Sequence, residues 1–179
     1  MLCLRPYKPC DAEKIVSWCK DETAFYLWSA GRFDHYPITA AAFNAYYDTF
    51  AQDESFFALC VYDENGLAGH VLVRALDEAK RDIRFGMIIV DPARRGQGTG
   101  YAMLSRVLDY AFGFLQADRV TLGVFEQNAA ARRCYDRLGF AQLDVPGDTL
   151  RVGDEIWQLI EVGMTREAWV AHHTTEETK

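Results

Sequence analysis

Short stretches of alternating or continuous apolar residues, separated by polar turns, share this chain with segments whose apolar positions recur every three or four residues. The first pattern reads as strand and the second as amphipathic helix. Leu2 to Lys8 reads as an opening strand, and Asp11 is placed as the N-cap of a helix through Lys20 with Ile15, Trp18 and Cys19 on one face. A second helix is predicted over about Thr39 to Ala51, with Thr39 as cap and Phe43, Tyr46, Tyr47 and Phe50 at helical spacing. Phe56 to Tyr62 and Leu67 to Leu76 form a hairpin around Asp63-Glu64-Asn65-Gly66, whose Asn-Gly pair is expected to supply the positive φ angles of a tight turn. A central strand follows over Ile83 to Val90, and Leu104, Val107, Leu108, Ala111, Phe112 and Leu115 then mark a helix with a single apolar stripe. Val120, Leu122 and Val124 alternate in a strand, Asn128 to Arg137 reads as a short helix, and Ala141 to Val145 and Glu155 to Glu161 read as closing strands. The order is strand, two helices, three strands, helix, strand, helix, two strands.

The run Arg95-Gly96-Gln97-Gly98-Thr99-Gly100 lies between the central strand, which ends in Ile88-Ile89-Val90-Asp91-Pro92, and the striped helix. A strand, a glycine turn and an exposed helix start form an anion site: first-turn N–H groups point outward, the helix dipole adds partial positive charge, and glycines allow close approach. A pyrophosphate-bearing ligand suits it. A nucleotide-hydrolase loop would need Gly-Lys-Ser/Thr, which is missing, and a dinucleotide fingerprint would need a third glycine where Tyr101 or Met103 stands.

The run resembles the acyl-coenzyme A signature of the GNAT superfamily of N-acyltransferases, Gln/Arg-x-x-Gly-x-Gly/Ala, with Arg95, Gly98 and Gly100 at the fixed positions. The second half of that family's pattern is also present, in Asn128-Ala129-Ala130-Ala131-Arg132-Arg133-Cys134-Tyr135-Asp136-Arg137-Leu138-Gly139-Phe140. The resemblance covers roughly Ala58 to Phe140. It implies an α/β (α+β) GNAT fold: a single mixed, mostly antiparallel sheet of six to seven strands flanked by about four helices. It further implies acetyl-CoA as co-substrate, with no metal. Main-chain groups of Ile88 and Val90 are expected to hold the pantetheine arm, and the loop Arg95, Gly96, Gln97, Gly98, Thr99 and Gly100 the pyrophosphate. Asn128 is expected to bond the pantetheine, with Tyr135 as general acid at the sulfur.

The implied activity is transfer of an acetyl group to a primary amine of a small molecule or a protein N-terminus, by direct attack in a ternary complex. A non-catalytic acyl-CoA sensor or regulatory module is the alternative. The pattern departs from the family at the general base, because Arg84 stands where many relatives carry Glu, and arginine stays protonated. Glu126, Asp82 and His70 are the remaining candidates for a water relay, Glu126 foremost, and Arg84 is read as a contact for an acidic group on the acceptor. Acceptor specificity is assigned to Phe25 to Tyr36, taken as the connection between the first two helices, and to the loop Gly147 to Asp154.

At 179 residues the chain is expected to form one domain over residues 1–173 with a polar tail at 174–179. A formal charge of −7 argues against a nucleic-acid partner, and Arg94 reads as a solvated charge beside the loop. No apolar run has membrane-spanning length and the N-terminus lacks a signal-peptide pattern, so a cytoplasmic protein without a membrane partner is expected, with a homodimer allowed for and the oligomeric state left open. The cysteines, Cys3, Cys10, Cys19, Cys60 and Cys134, are odd in number without a Cys-x-x-Cys pair and read as buried thiols. His35, His70, His172 and His173 are too dispersed for a metal cluster.

Overall fold

Apolar runs rich in Val, Ile, Leu and Phe build the strands β1 (Cys3–Pro6), β2 (Phe56–Asp63), β3 (Gly66–Ala75), β4 (Asp82–Val90), β5 (Arg119–Phe125), β6 (Ala141–Gln142), β7 (Thr149–Val152) and β8 (Glu155–Thr165). The helices are α1 (Ala12–Val16), α2 (Glu22–Ser29), α3 (Ala40–Asp48), α4 (Thr99–Leu108), α5 (Ala129–Leu138) and α6 (Arg166–Glu176). The computed structural model describes residues 1–79 and 81–176. Its main sheet runs β1-β2-β3-β4-β5-β8-β6, with β7 paired to the start of β8. Only the β4–β5 pair is parallel. The mixed, mostly antiparallel sheet is therefore as expected, with eight strands rather than six or seven and six helices rather than about four among the described residues.

Each face of the sheet carries its own core. On one side Ile83 and Phe85 of β4 meet Met103, Leu104, Val107 and Leu108 of α4 and Tyr135 and Leu138 of α5. On the other, Met87 and Ile89 of β4 meet Ile15, Phe25, Trp28 and Phe43 from α1, α2 and α3. These four positions are each two residues apart and a regular strand would send them to one face; the irregularity in the β3–β4 register between Gly86 and Ile89 moves Met87 and Ile89 to the other layer.

Several local expectations are corrected. Asp11 does not cap α1 with its side chain: the carboxylate accepts both Arg5 guanidinium nitrogens, at 2.6 and 2.7 Å, and the Lys8 amide at 2.9 Å. The first helix ends at Val16, where Trp18 N–H bonds Ile15 O in a tighter i→i−3 turn, although Trp18 and Cys19 remain buried. Within the supposed connection Phe25 to Tyr36 lies most of α2, capped by Asp21, whose carboxylate accepts the Ala24 amide at 2.7 Å. In the β2–β3 turn Asp63 Oδ1 accepts the Asn65 amide, and only Gly66 takes a positive φ, +97°. The last helix, α6, extends through Glu176 into the stretch read as a tail; residues 177–179 lie outside the described residues. Cys3 and Cys10 are exposed, not buried.

Candidate active site

The site begins with a fault in the central strand. Leu72 pairs Gly86 and His70 pairs Ile89, so Met87 and Ile88 together oppose Val71 alone in a β-bulge, with Met87 at φ +44°. The Met87 carbonyl leaves the ladder and accepts two buried donors, Trp28 Nε1 at 3.0 Å and His70 Nδ1 at 3.1 Å. A carbonyl only accepts, so the His70 proton sits on Nδ1, and Nε2 accepts from the Tyr47 hydroxyl at 2.9 Å. Burial pushes the His70 pKa down to about 4, which keeps that tautomer neutral.

Beyond the bulge the sheet opens. β4 and β5 pair from Asp82–Arg119 to Phe85–Leu122 and no further, leaving Gly86 to Val90 and Gly123 to Phe125 as facing edges. Between them lies a cleft of about 550 Å³, to which Ile88, Val90, Arg95, Gly96, Gly98, Gly100, Asn128 and Tyr135 all contribute. Eight of the expected site residues thus share one cavity. Gln97 and Thr99 are not among its lining residues, and the Gln97 side chain turns back to donate to the Ala93 carbonyl at 3.0 Å.

The glycine loop fits a phosphate group on two counts. Gly96 and Gly98 hold φ of +73° and +79°, and a Cβ on either would meet nothing within 4 Å, so the backbone is bare towards the opening. Gly98 is also the N-cap of α4 and offers no capping side chain to the first-turn amides. Arg94, read as solvated, instead pairs with Asp63 at 2.7 Å and ties the loop to the β2–β3 turn. Asn128 caps α5 through Oδ1 on the Ala131 amide at 3.3 Å, which leaves its NH₂ available. Tyr135 is 7% exposed and packs edge-on against Phe140. Burial pushes its phenol above the ordinary value, so the hydroxyl stays protonated.

The candidate bases separate by place. His70 is fully buried beneath α3 with both ring nitrogens engaged, and Asp82 pairs with Arg119 at the start of β4, far from the opening. Glu126 is exposed at the end of β5, next to the lining residue Phe125, but does not itself line the cleft. Arg84 does line it, and its guanidinium is held bidentate by Glu161 at 2.7 and 2.8 Å. Its charge is therefore already matched within the fold, which corrects the reading of Arg84 as a ligand for an acidic acceptor. Of the assigned acceptor segments, Leu27, Trp28, Ala30 and Arg32 reach the cleft, while none of Gly147 to Asp154 does. That second segment instead braces the first, with Leu150 against Gly31. Sequence reasoning missed the Trp28 and His70 locks on Met87 and the Glu161 partner of Arg84; these pairs are 59, 17 and 77 residues apart, and no local pattern signals them.

Residues 1–141 match the family model of the acetyltransferase (GNAT) domain. The chain belongs to this family. Among curated relatives, the spermine/spermidine N(1)-acetyltransferase of Bacillus subtilis is 28% identical over 100 residues, 51% of this chain and 66% of that protein. Mycothiol acetyltransferase of Salinispora tropica is 33% identical over 129 residues, 68% of this chain and 42% of that protein. The chain thus spans just under two thirds of the first relative's length and less than half of the second's. In three dimensions it matches spermidine N-acetyltransferase from Vibrio cholerae in complex with CoA and spermine, with a TM-score of 0.80 at 20% identity over 94% of this chain and 98% of that one. The same Vibrio cholerae enzyme has also been described as a dodecamer. This match carries the GNAT fold across the whole sheet.

Proposed function

We propose that the chain is an N-acetyltransferase that uses acetyl-CoA as co-substrate and transfers its acetyl group to a primary amine in a ternary complex. One observation carries the reading: a single cleft joins an uncapped helix start behind bare glycines, a free strand edge, and a buried phenol. Acetyl-CoA supplies the activated acetyl thioester. The amides from Arg95 to Gly100 hold its pyrophosphate, Ile88 and Val90 offer main-chain partners to the pantetheine, and the Asn128 NH₂ donates to it. The amine nitrogen attacks the thioester carbon, the C–S bond breaks, and the Tyr135 hydroxyl protonates the departing sulfur. The proton lost by the amine leaves through water at the open rim, and Glu126, exposed beside the lining residue Phe125, is assigned as the carboxylate that takes it up. The Bacillus subtilis relative is named for N(1)-acetylation of spermine and spermidine, which supports an amine acceptor.

The test compares two variants. Tyr135→Phe is expected to lower kcat by about 10²- to 10⁴-fold, the range for a lost positioned acid, while calorimetry shows acetyl-CoA still bound. Glu126→Gln is expected to cost less. Acetyl-CoA binding without acetylation of any amine would replace this reading with that of an acyl-CoA sensor.

The continuous sheet supports one domain, the five free thiols support a reducing cytoplasmic setting, and the dodecameric Vibrio cholerae relative supports self-association, which sedimentation reads directly.

A further inference from the structure

The positive charge lining the cleft is of three kinds: paired with a carboxylate of the fold at Arg84, grouped at the phosphate end, and neither of these at Arg32. Its described lining includes Arg32, Arg84, Arg95, Arg133 and Arg137 and no Asp or Glu, in a chain whose formal charge is −7. Three of these arginines belong to the phosphate end. Arg95 is in the glycine loop, Arg137 lies over the Tyr101 ring of α4 at 4.2 Å, and Arg133 is one turn before Arg137 on α5. Arg84 and Arg32 lie at the opposite end around Gly86, four residues and about 13 Å of extended chain before Val90. Arg84 is neutralised by Glu161, with Asp148 adding to the field on it. Arg32 is not neutralised. One of its Nη atoms donates to the Ser29 carbonyl at 3.0 Å, the other lies 3.3 Å from where a Gly86 Cβ would stand, and no described carboxylate pairs with it. A side chain at position 86 would push this guanidinium away, so the glycine keeps it over β4.

We propose that Arg32 is the specificity residue for an acceptor that carries a carboxylate beside its amine, a small amino acid with an apolar side chain. The inference rests on the transferase reading above and narrows its substrate class. A guanidinium fork matches a carboxylate in two parallel hydrogen bonds, and this one has donors to spare. The walls around it, Ala24, Leu27 and Trp28 from α2 and Leu159 from β8, are apolar and suit an aliphatic or aromatic side chain. A polyamine finds the reverse: unpaired positive charge and no lining acid to receive its second ammonium. In that respect this cleft is unsuited to the spermine and spermidine for which its relatives are named.

The experiment measures acetylated product by mass spectrometry, with acetyl-CoA and four acceptor arms. The arms are phenylalanine, leucine and methionine; the same three molecules lacking the carboxylate; the aminophosphonate analogue of phenylalanine; and spermidine. The amino acids are expected to exceed their decarboxylated counterparts by about 10- to 100-fold in kcat/KM, the worth of a hydrogen bond to a charged group. Arg32→Gln is expected to shrink that ratio to within about 3-fold, chiefly through KM, and Arg32→Lys to restore part of it, since it keeps the charge and loses the fork. Retained acetyl-CoA binding shows that each variant is folded. Faster acetylation of spermidine or of the decarboxylated amines overturns the proposal and leaves the transferase reading intact. An unchanged ratio in Arg32→Gln, or a preference for the aminophosphonate, overturns it as well. Bound acetyl-CoA with no product in any arm overturns the amino-acid proposal alone, because the transferase reading also admits amines outside these four arms.

Discussion

Gly98 stands at the turn from loop to helix with φ +79°, a conformation that costs a residue with a Cβ about 1–2 kcal/mol, and with open space where a side chain would project. Gly98→Trp is expected to fill that space and weaken acetyl-CoA binding by at least tenfold in calorimetry, while the circular dichroism of the fold persists. Unchanged affinity would remove the loop from the binding site. Arg84 teaches a different lesson at the same scale. Its place before Phe85-Gly86 was legible in the sequence, and its departure from the pattern implied by the family resemblance was legible with it, because both depend only on residues adjacent in the chain. Its role was not legible, because Glu161 meets it across β5 from a strand near the C-terminus. A charge seen without its partner reads as available for ligand; the fold supplies the partner. Tyr135 and Asn128 were recoverable because seven residues of one helix and its cap hold them in register.

At the scale of elements, the bulge in β4 is what turns an ordinary sheet into a cleft, and two side chains from other layers fix it. Trp28→Phe removes one donor to the Met87 carbonyl and some buried volume while the His70 donor remains. The expected cost is about 1–3 kcal/mol of stability, read as a lowered Tm, together with faster amide exchange at Ile88 to Val90 and weaker acetyl-CoA binding. A variant that lost stability with unchanged exchange in β4 would show that Trp28 merely fills space. Strands and the helices α3, α4 and α5 were legible because their periodicity is strong and their caps are local. α2 was not: aromatic residues at Phe25, Tyr26 and Trp28 blur its single face, and eight residues give little more than two turns. The strand at Ala141 was legible, although β6 keeps only Ala141–Gln142 of the expected Ala141 to Val145, whereas β7 exists by pairing with β8 rather than by its own pattern, so only the assembled sheet reveals it. The helix α6 likewise carries a weak stripe and takes its place through Trp169 stacked on Phe112 in the core beneath α4 and α5.

For the molecule as a whole, His70 links folding to acidity. In an unfolded chain it takes up a proton near pH 6.5, whereas in the fold it does so only at about 4. Above pH 6.5 neither state is protonated there; below it the unfolded state gains a proton that the folded state refuses. Stability is therefore complete above about 6.5 and is expected to fall by roughly 1.4 kcal/mol per pH unit down to about 4. Thermal melts from pH 7.5 to 5 check this, and His70→Gln is expected to flatten that slope whatever its absolute Tm. The paired Asp11, whose carboxyl is raised by burial but held below its ordinary value by Arg5 and the Lys8 amide, keeps its full contribution through this range and loses it only as the pH falls below the ordinary carboxylate value. The opening between β4 and β5 has a consequence of its own. An interrupted sheet has two extra margins, and exposed margins invite pairing with neighbouring molecules. Here they face each other across the cleft, where a slender guest that pairs with one edge would stand in for the missing partner strand. Such a guest works as a seam, adding RT ln(1 + [L]/Kd) to the stability of the whole, about 2.7 kcal/mol at a hundredfold excess over Kd. Heat alone then becomes an assay, since each compound that closes the gap announces itself by a higher melting temperature before any reaction is followed.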